Sequence, residues 1–525
     1  MVTYDPIPEL AIVRTQARAL SAVMLALGVV LTTAIGATPT GRVAHADPAR
    51  AALDAAIAEV EAYMNERMEA TKTPGMAYAV VTPEAIVRMG AWGEDGDGQP
   101  ISTDTPFLWG SVAKPVTATA VMMLVEGGEI DLDEPVRTYL PEFSLADDDA
   151  AERVTVRDLL QQTSGIPEGT GTTDRFDHRD DSYGHAIADL GDVAPRSAPG
   201  EEFEYASENY LVLGAVVEAV TDRPFAEYLR THVVRPLQMS GAITTSDDAA
   251  ERLADGHSYA FGQPVRVPAH YDPAGQSYGY LGGNVEDLAH FAMVHLNDGV
   301  YRSVQVLEPE SVETMRTGAA RVSDTIDYGL GWRVDTRNDD LGTSTVWHSG
   351  AVHGFQATLV LLPELELGIV VLQNIYGFFQ DWPLVATGLH AARILAGGEP
   401  APISADPAYA FTLSGLVAVL AVIIGAIGRP VYQVLRGRNP AGARRGLVIA
   451  TACWTMGGLA LAYLVGVALP DSFGASLRLI RLWAPDVGWL ATGVVVGALA
   501  LVVTHLTIGM LRYRWMSTDR TESAP

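Results

Sequence analysis

The sequence predicts an α/β domain, a sheet with an inserted helical region, followed by three membrane-spanning helices. Strand patterns lie early in the chain, helical patterns fill the middle of the domain, and strand patterns return late. This order is typical of a single sheet packed with helices. Three long apolar runs then follow residue 410, and each is close to the ~20 residues that cross a bilayer.

The first 46 residues have the pattern of a secretory signal peptide. Arg14 and Arg18 precede an apolar stretch over residues 19–37, and Ala44-His45-Ala46 supplies small residues at the two positions that a signal peptidase reads. The apolar stretch is long, so an uncleaved membrane anchor is the alternative. In both cases we expect the following segment to be exported.

A soluble domain is predicted over residues 47–397. Asp47-Pro48 can begin a helix, because Asp is a good cap and Pro suits the first helical position. A hairpin of two strands follows, and later a helix runs from Ser111 to about Glu126, where two glycines end it. The hairpin strands are Met76–Val81 and Ala85–Gly90, further helices lie near Val156–Gln162, Tyr210–Val220 and Val285–His295, and late strands lie at Gly329–Val334, Gln356–Leu362 and Leu367–Gln373.

The C-terminal part is predicted to cross the membrane three times within residues 411–511, after a Pro-rich linker at residues 398–410. The loop between the first two spans carries five arginines, and the tail at residues 512–525 is also basic. Positive charge favours the cytoplasmic side, so we expect a multi-pass protein of the cell membrane with an extracytoplasmic domain. The three spans are Phe411–Ile427, Gly446–Leu469 and Val487–Met510.

Composition excludes several functional classes. Residues 1–400 carry 25 basic and 58 acidic side chains, so the domain repels nucleic acid. The single cysteine, Cys453, lies in an apolar run, which excludes a disulfide within the chain and a thiol nucleophile in the domain. We expect no metal and no cofactor, and a small-molecule or peptide substrate. The sequence indicates no particular protein partner.

Ser111 and Lys114 are one helical turn apart and share a helix face. A serine hydroxyl is a poor nucleophile until a base takes its proton, and burial can lower the pKa of a lysine enough to do so. The chain has only two lysines, Lys72 and Lys114, against 33 arginines. A guanidinium cannot be deprotonated, so lysine at position 114 favours a catalytic role. The Ser-x-x-Lys spacing alone is common by chance.

Four segments strengthen this interpretation by their order and spacing. They are residues 106–118 around Gly110-Ser111-Val112-Ala113-Lys114, then Leu159-Leu160-Gln161-Gln162-Thr163-Ser164-Gly165, Phe203-Glu204-Tyr205-Ala206-Ser207, and His348-Ser349-Gly350. Together they resemble the serine β-lactamase and penicillin-binding-protein superfamily, most closely its branch of class C β-lactamases, D-Ala-D-Ala carboxypeptidases and esterases. The resemblance covers about residues 50 to 397 and implies an antiparallel sheet flanked by helices.

The resemblance also implies roles for the matching residues. Ser111 would be acylated by the substrate, and Lys114 would accept or relay its proton. Tyr205 would be a second base that passes a proton to the leaving group and later activates water. His348 would replace a family lysine and bind a substrate carboxylate or tune Tyr205. The N–H groups of Ser111 and Ala351 would form an oxyanion hole, and Gly350 would let the substrate approach the strand.

Ser207 departs from the family pattern, which has Asn at this position, two residues after the tyrosine. That Asn contacts the substrate's amide and helps to hold the lysine, whereas Asn209 corresponds to a different, structural position. A serine hydroxyl still forms hydrogen bonds but has a shorter reach and no amide. We therefore expect acylation by an ester or short peptide to survive, and efficient β-lactam hydrolysis to be less assured.

The leading hypothesis is a membrane-anchored serine hydrolase that acts through an acyl-enzyme on a D-amino-acid peptide amide or an ester. The alternatives are a β-lactamase and a catalytically weak sensor that binds penicillin or a wall fragment. One acidic stretch, Thr170–His185, could hold a metal ion, but such loops are usually solvated, and we expect it to form part of the cleft rim.

Overall fold

The computed structural model describes residues 48–176, 183–403, 406–437, 444–472 and 475–518. By its internal contacts the chain divides into residues 1–54 and 55–525. The first unit is described only from Pro48, where helix α1 (Pro48–Thr71) begins. The predicted signal peptide and Asp47 lie outside the described residues.

An antiparallel sheet of eight strands forms the centre of the domain, in the order β2-β1-β14-β13-β12-β11-β10-β9. The first hairpin lies beside the last long strand, because β1 pairs with β14 in the register Met76↔Gln373. The sheet strands are β1 (Gly75–Val81), β2 (Ile86–Gly93), β9 (Ala320–Arg321), β10 (Ile326–Tyr328), β11 (Arg333–Asp335), β12 (Thr345–Val352), β13 (Phe355–Leu362) and β14 (Leu367–Gln373). Short strands elsewhere are β3 (Phe107–Leu108), β4 (Gly256–Ala260), β5 (Gln263–Val267), β6 (Gly282–Gly283), β7 (Val300–Tyr301), β8 (Val304–Gln305) and β15 (Ile375–Tyr376).

The predicted strand Gly329–Val334 is wrong. The segment turns between β10 and β11, and the Gly329 N–H donates to the carbonyl of Trp332 at 2.8 Å. Gly331 has φ +84°, a left-handed conformation that an extended strand does not contain. The other predicted strands lie within two or three residues of the observed bounds.

Helices fill the region between the first and last strands, as the order of patterns predicts. The predicted helices correspond to α2 (Ala113–Glu126), α4 (Val156–Gln161), α6 (Ser207–Thr221) and α9 (Val285–Leu296). The remaining helices of the domain are α3 (Asp148–Ala151), α5 (Gly184–Asp189), α7 (Phe225–Leu229), α8 (Ser246–Arg252), α10 (Pro309–Arg316) and α11 (Asp381–Leu395).

Both faces of the sheet are covered, because every residue of β1 is buried. Ala77, Ala79 and Val81 point into the main core, which α2, α6 and α9 complete. On the other face, Tyr78 donates its hydroxyl hydrogen bond to Glu61 of α1. The central strands of the sheet are thereby held between two packed layers.

Three C-terminal helices are long and apolar enough to cross a membrane: Ala408–Leu435, Arg444–Ala468 and Pro485–Met516. The first and third contain their predicted spans, and the second ends at Ala468, one residue before the predicted end at Leu469. The chain forms α12 (Ala408–Leu435), α13 (Arg444–Tyr463), a wider turn at Leu464–Ala468, α14 (Leu469–Ser472), α15 (Leu477–Trp483) and α16 (Pro485–Thr518). The short helix α15 was not predicted.

The domain contacts these helices through the β4–β5 turn. The Phe261 N–H donates to the Asp486 carboxylate at 2.7 Å, and the Gly262 N–H donates to the Tyr409 hydroxyl at 3.0 Å. Tyr409 in turn donates to Asp486. At a separate point, the rings of Trp483 and Tyr376 meet edge to face at 5.2 Å. These contacts join the domain to α12, α15 and α16.

Candidate active site

A tight contact between the start of α2 and strand β12 positions Ser111. The serine lies in a 3-10 turn, Gly110–Val112, immediately before α2. A Cβ on Gly350 would lie 2.5 Å from the Ser111 nitrogen, and one on Gly110 would lie 2.2 Å from the Ala351 nitrogen. Two glycines therefore allow the strand to reach the serine. The N–H groups of Ser111 and Ala351, the expected oxyanion hole, lie together at this contact.

Lys114 is buried one turn along α2. Its Nζ donates to Ser111 Oγ at 3.0 Å, to the Tyr278 carbonyl at 2.9 Å and to Ser207 Oγ at 3.4 Å. Tyr278 belongs to a wide turn at Gln276–Tyr280 that packs against α2 and α6. The structure thus joins Ser111 and Lys114 as their spacing predicts, and it brings Ser207 to the same amine.

Burial lowers the pKa of Lys114 to about 8, and the charge of the nearby Glu168 carboxylate acts in the opposite direction. Burial removes water from the amine, and this loss of hydration costs more free energy for the charged ammonium than for the neutral amine. A substantial neutral fraction therefore exists near neutral pH. This fraction is the form that can accept the proton of Ser111.

Tyr205 lies just before α6 and is partly buried. Its ring centroid is 4.9 Å from Lys114 Nζ. Burial raises the pKa of Tyr205 well above its ordinary value, while a hydrogen bond with Ser111 acts to lower it. Tyr205 therefore holds its proton at neutral pH, which suits it to donate a proton before it acts as a base.

His348 is buried beside Tyr205 and Tyr328, with ring centroids 6.2 and 5.9 Å away, and its expected role as a carboxylate ligand or as a group that tunes Tyr205 stays a prediction. It is 1% exposed, its Nδ1 lies 2.7 Å from the Ser349 carbonyl, and its Nε2 lies 3.0 Å from the Tyr328 hydroxyl. Because a carbonyl only accepts, we assign the ring hydrogen to Nδ1, and Nε2 then accepts from Tyr328. Burial, followed by the charges of Arg333 and Lys114, lowers the pKa of His348 well below its usual value. With both nitrogens engaged, this neutral ring supports Tyr328.

Arg333 is a second cation near Tyr205, besides Lys114. It lies on β11, beside β12, and its guanidinium is 5.4 Å from the Tyr205 ring centroid. It is partly exposed, and none of the ion pairs in the described segments includes it. The sequence did not identify Arg333, because only the pairing of β11 with β12 brings it to the cleft.

Ser207, the first residue of α6, connects Lys114 to a second residue that sequence reasoning missed. Its hydroxyl accepts from Lys114 and donates to Glu168 Oε1 at 3.2 Å, while its backbone N–H donates to Glu168 Oε2. Glu168 therefore caps α6, whose preceding residue offers no side-chain cap. Asn209 points away and bonds Ser164 and Gln162, in agreement with a structural position.

The acidic stretch Thr170–His185 is described except for residues 177–182. Within the described part, Asp174 is buried rather than solvated: its carboxylate accepts from the Tyr280 hydroxyl at 2.6 Å, and its N–H donates to the Tyr278 hydroxyl at 2.8 Å. Burial raises the pKa of Asp174 to about 6, against the effect of the Tyr280 hydrogen bond. Asp174 thus braces the turn whose carbonyl binds Lys114.

Comparison with known proteins connects this geometry to a family. The Beta-lactamase family model matches residues 60–392. The chain is 32% identical over 370 residues to Penicillin-binding protein 4 of Amycolatopsis lactamdurans, covering 66% of this chain and 96% of that protein. It is 28% identical to Protein flp of Staphylococcus aureus (strain MW2), covering 52% of this chain and 54% of that protein.

A solved structure shares the architecture. The octameric penicillin-binding protein homologue from Pyrococcus abyssi superimposes with a TM-score of 0.57 at 25% identity, covering 66% of this chain and 78% of that chain. The sheet and the helices that surround it thus belong to a shared fold.

Proposed function

The chain belongs to the β-lactamase family, and from this premise we propose that it is a membrane-anchored, extracytoplasmic serine hydrolase that acts through an acyl-enzyme. The observation that carries this proposal is the buried amine of Lys114, 3.0 Å from the Ser111 hydroxyl. A neutral amine at hydrogen-bond distance is the arrangement that activates a serine nucleophile. The expected substrate is a D-amino-acid peptide amide or an ester.

In the proposed acylation, Ser111 Oγ attacks the substrate carbonyl carbon while Lys114 takes the hydroxyl proton. The N–H groups of Ser111 and Ala351 stabilise the negative oxygen that forms. Tyr205 gives its proton to the leaving group as the bond to the carbonyl carbon breaks. Water then attacks the acyl-serine, its proton passes to Tyr205, and Lys114 returns a proton to Ser111 Oγ. The acid product leaves, and both bases regain their starting states.

The charge of Arg333 indicates that the leaving group of the substrate carries a negative charge. Its guanidinium stacks near Tyr205, the proposed donor to the leaving group, so a carboxylate on the leaving group would lie close to a cation. A C-terminal amino acid provides such a carboxylate. Two of the similar proteins are named as penicillin-binding proteins, so we also expect penicillin to acylate Ser111. Hydrolysis of β-lactams is the alternative enzymatic activity.

A sensor is the second candidate, and one contact favours it. The guanidinium of Arg478 on α15 approaches the Asp174 carbonyl at 3.4 Å, and Asp174 contacts the turn that binds Lys114. Residues in direct contact therefore connect the cleft to α15, the helix between α14 and α16. The two candidates differ in the lifetime of the acyl-enzyme.

Labelling of the full-length protein in detergent tests the proposal. A fluorophosphonate probe and a fluorescent penicillin should each label the parent, and Ser111→Ala should abolish both signals. Ser303→Ala, at an exposed serine, is the matched control and should label like the parent. Equal labelling of Ser111→Ala and the parent would contradict the nucleophile assignment. Loss of the adduct with release of product supports a hydrolase, whereas an adduct that persists with every peptide and ester tried supports the sensor.

A further inference from the structure

Glu168 places an exposed carboxylate beside the proposed reaction centre, and the proposed reaction does not use it. Its two oxygens each accept one hydrogen bond from Ser207, whose hydroxyl also contacts Lys114. A carboxylate has about four lone-pair positions, so roughly half of its accepting capacity remains. None of the ion pairs formed among the described residues includes Glu168.

The surroundings of Glu168 contain a second acid that is kept protonated. Glu208 is fully buried, and its Oε2 has no hydrogen-bond partner within the part of the chain that is described. Burial and then the charge of Glu168 raise the pKa of Glu208 above its ordinary value. A neutral Glu208 behind an exposed Glu168 leaves one carboxylate facing the cleft.

The cleft also carries the opposite charge at a different place. Arg333 lies near the Tyr205 ring, whereas Glu168 lies beside Ser207, and the two are not paired with each other. Tyr205 is the proposed donor to the leaving group, so Arg333 marks the leaving-group side. The Ser207 side then remains for the acyl part of the substrate. A ligand that complements both charges has an ammonium on its acyl part and a carboxylate on its leaving group.

Resting on the proposed acyl transfer at Ser111, we propose that Glu168 is a specificity-determining residue that selects substrates with a protonated amino group on the acyl part. A D-aminoacyl amide or a short peptide with a free N-terminal amine has this chemistry. An N-acylated peptide lacks the positive charge and would form no ion pair with the carboxylate. Charge complementarity of this kind gives discrimination between otherwise similar ligands.

The test compares D-alanyl-p-nitroanilide with its N-acetyl form, and uses p-nitrophenyl acetate as a neutral ester. For the parent, kcat/KM should favour the free amine by about tenfold, the effect of a partly exposed charge pair, and salt should reduce this preference. Glu168→Gln keeps an oxygen that can cap α6. It should bring the ratio of kcat/KM for the free amine to kcat/KM for the N-acetyl form close to one, mainly through a change in KM. Loss of the Glu168 charge also lowers the pKa of Lys114, and hydrolysis of the neutral ester measures this general effect, which cancels in the ratio of the two anilides. Glu142→Gln, at an exposed acid on the loop before α3, should retain the parent ratio.

Binding to Ser111→Ala separates this inference from the proposed function. Calorimetry should show that this variant binds D-alanyl amide more tightly than its N-acetyl form, and that Ser111→Ala/Glu168→Gln does not. Equal affinities in Ser111→Ala overturn the role of Glu168 whether or not the parent is an enzyme. Failure of the parent to hydrolyse the neutral ester or to label overturns the proposed function alone. An acyl-enzyme that accumulates in Glu168→Gln with the neutral ester would assign the carboxylate to water activation and overturn the specificity role.

Discussion

Lys114 combines full burial with the shortest described contact to Ser111 Oγ. Its identity is informative because nearly every other cation in the chain is arginine, which cannot act as a base. A structural ion pair could have been built with arginine as well. The residue type and the observed hydrogen bond therefore lead to the same proposed role.

The reactivity of Ser111 should rise with pH. Since Lys114 has a pKa of about 8 in the folded protein, its neutral form increases as pH rises through that value. The second-order rate constant of fluorophosphonate labelling, measured from pH 6 to 10, should increase and then reach a plateau. Lys114→Arg should lower this rate by about 10²-fold or more, in the range that proton-transfer catalysis contributes. Lys72→Arg is the control, and a flat profile in the parent would contradict the role of Lys114.

Single residues show how far the sequence could predict the site. Ser111 and Lys114 are neighbours on one helix, so their spacing was enough to bring them together. Glu168 and Arg333 reach the cleft from distant segments, through a helix cap and a strand pairing that local patterns do not contain. His348 was placed on the correct strand, but its two hydrogen bonds depend on Tyr328 from another strand, which only the folded sheet reveals.

At the scale of elements, the contact of β12 with the turn before α2 positions the nucleophile. Gly350 is the point of closest approach, since an added Cβ would lie 2.0 Å from the Trp109 carbonyl oxygen. The neighbours are backbone atoms, which cannot move aside as the end of a flexible side chain can. The geometry of the oxyanion hole depends on the same contact.

Gly350→Ala should therefore lower both stability and reactivity. We expect a loss of about 1–3 kcal/mol or more in the free energy of unfolding, as for other overpacked sites, and slow labelling of the folded fraction. Chemical denaturation and the fluorophosphonate rate measure the two effects. Gly127→Ala, where a Cβ would lie 3.3 Å from the end of the Glu129 side chain and at ordinary contact distances of 3.5 and 3.6 Å from two carbonyl oxygens, should stay within about 0.5 kcal/mol of the parent. Parental labelling by Gly350→Ala would show that this contact does not hold the site.

Element prediction succeeded where the hydrophobic pattern was long and its ends were marked. The helix α2 ends at its predicted glycines, and β13 and β14 are runs of apolar residues within one residue of their predicted bounds. The predicted strand Gly329–Val334 failed because two glycines within an apolar stretch formed a turn. The hairpin β4–β5 and the helix α15 were missed because they are short, and their stability depends on contacts with other elements.

At the scale of the whole molecule, the arrangement of positive charge predicts the topology. Three helices can cross a membrane, and most of the arginines after residue 410 lie in the loop after the first span and in the tail after the third, while Arg478 and Arg481 in the second loop are balanced by Asp471 and Asp486. The domain boundaries and the side of the membrane on which the domain lies stay predictions.

A reporter enzyme that works only in the cytoplasm should be active when it is fused after Pro525. A reporter enzyme that works only outside the cytoplasm should be inactive at the same position. The same two reporters fused after residue 400 should give the reverse result. The expected result follows from three crossings and the positive-inside rule. External activity of the C-terminal fusion would remove the extracytoplasmic assignment of the domain.

The attachment of the β4–β5 turn to Tyr409 and Asp486 affects how the cleft meets its substrates. A domain on a loose tether swings and samples many directions, whereas hydrogen bonds at the turn and the separate ring contact of Trp483 restrict this rotation. The opening near Ser111 then keeps a constant direction relative to the helices. If the chain is the proposed hydrolase, its substrate reaches Ser111 from one fixed direction, so the substrate concentration on that side sets the rate of encounter.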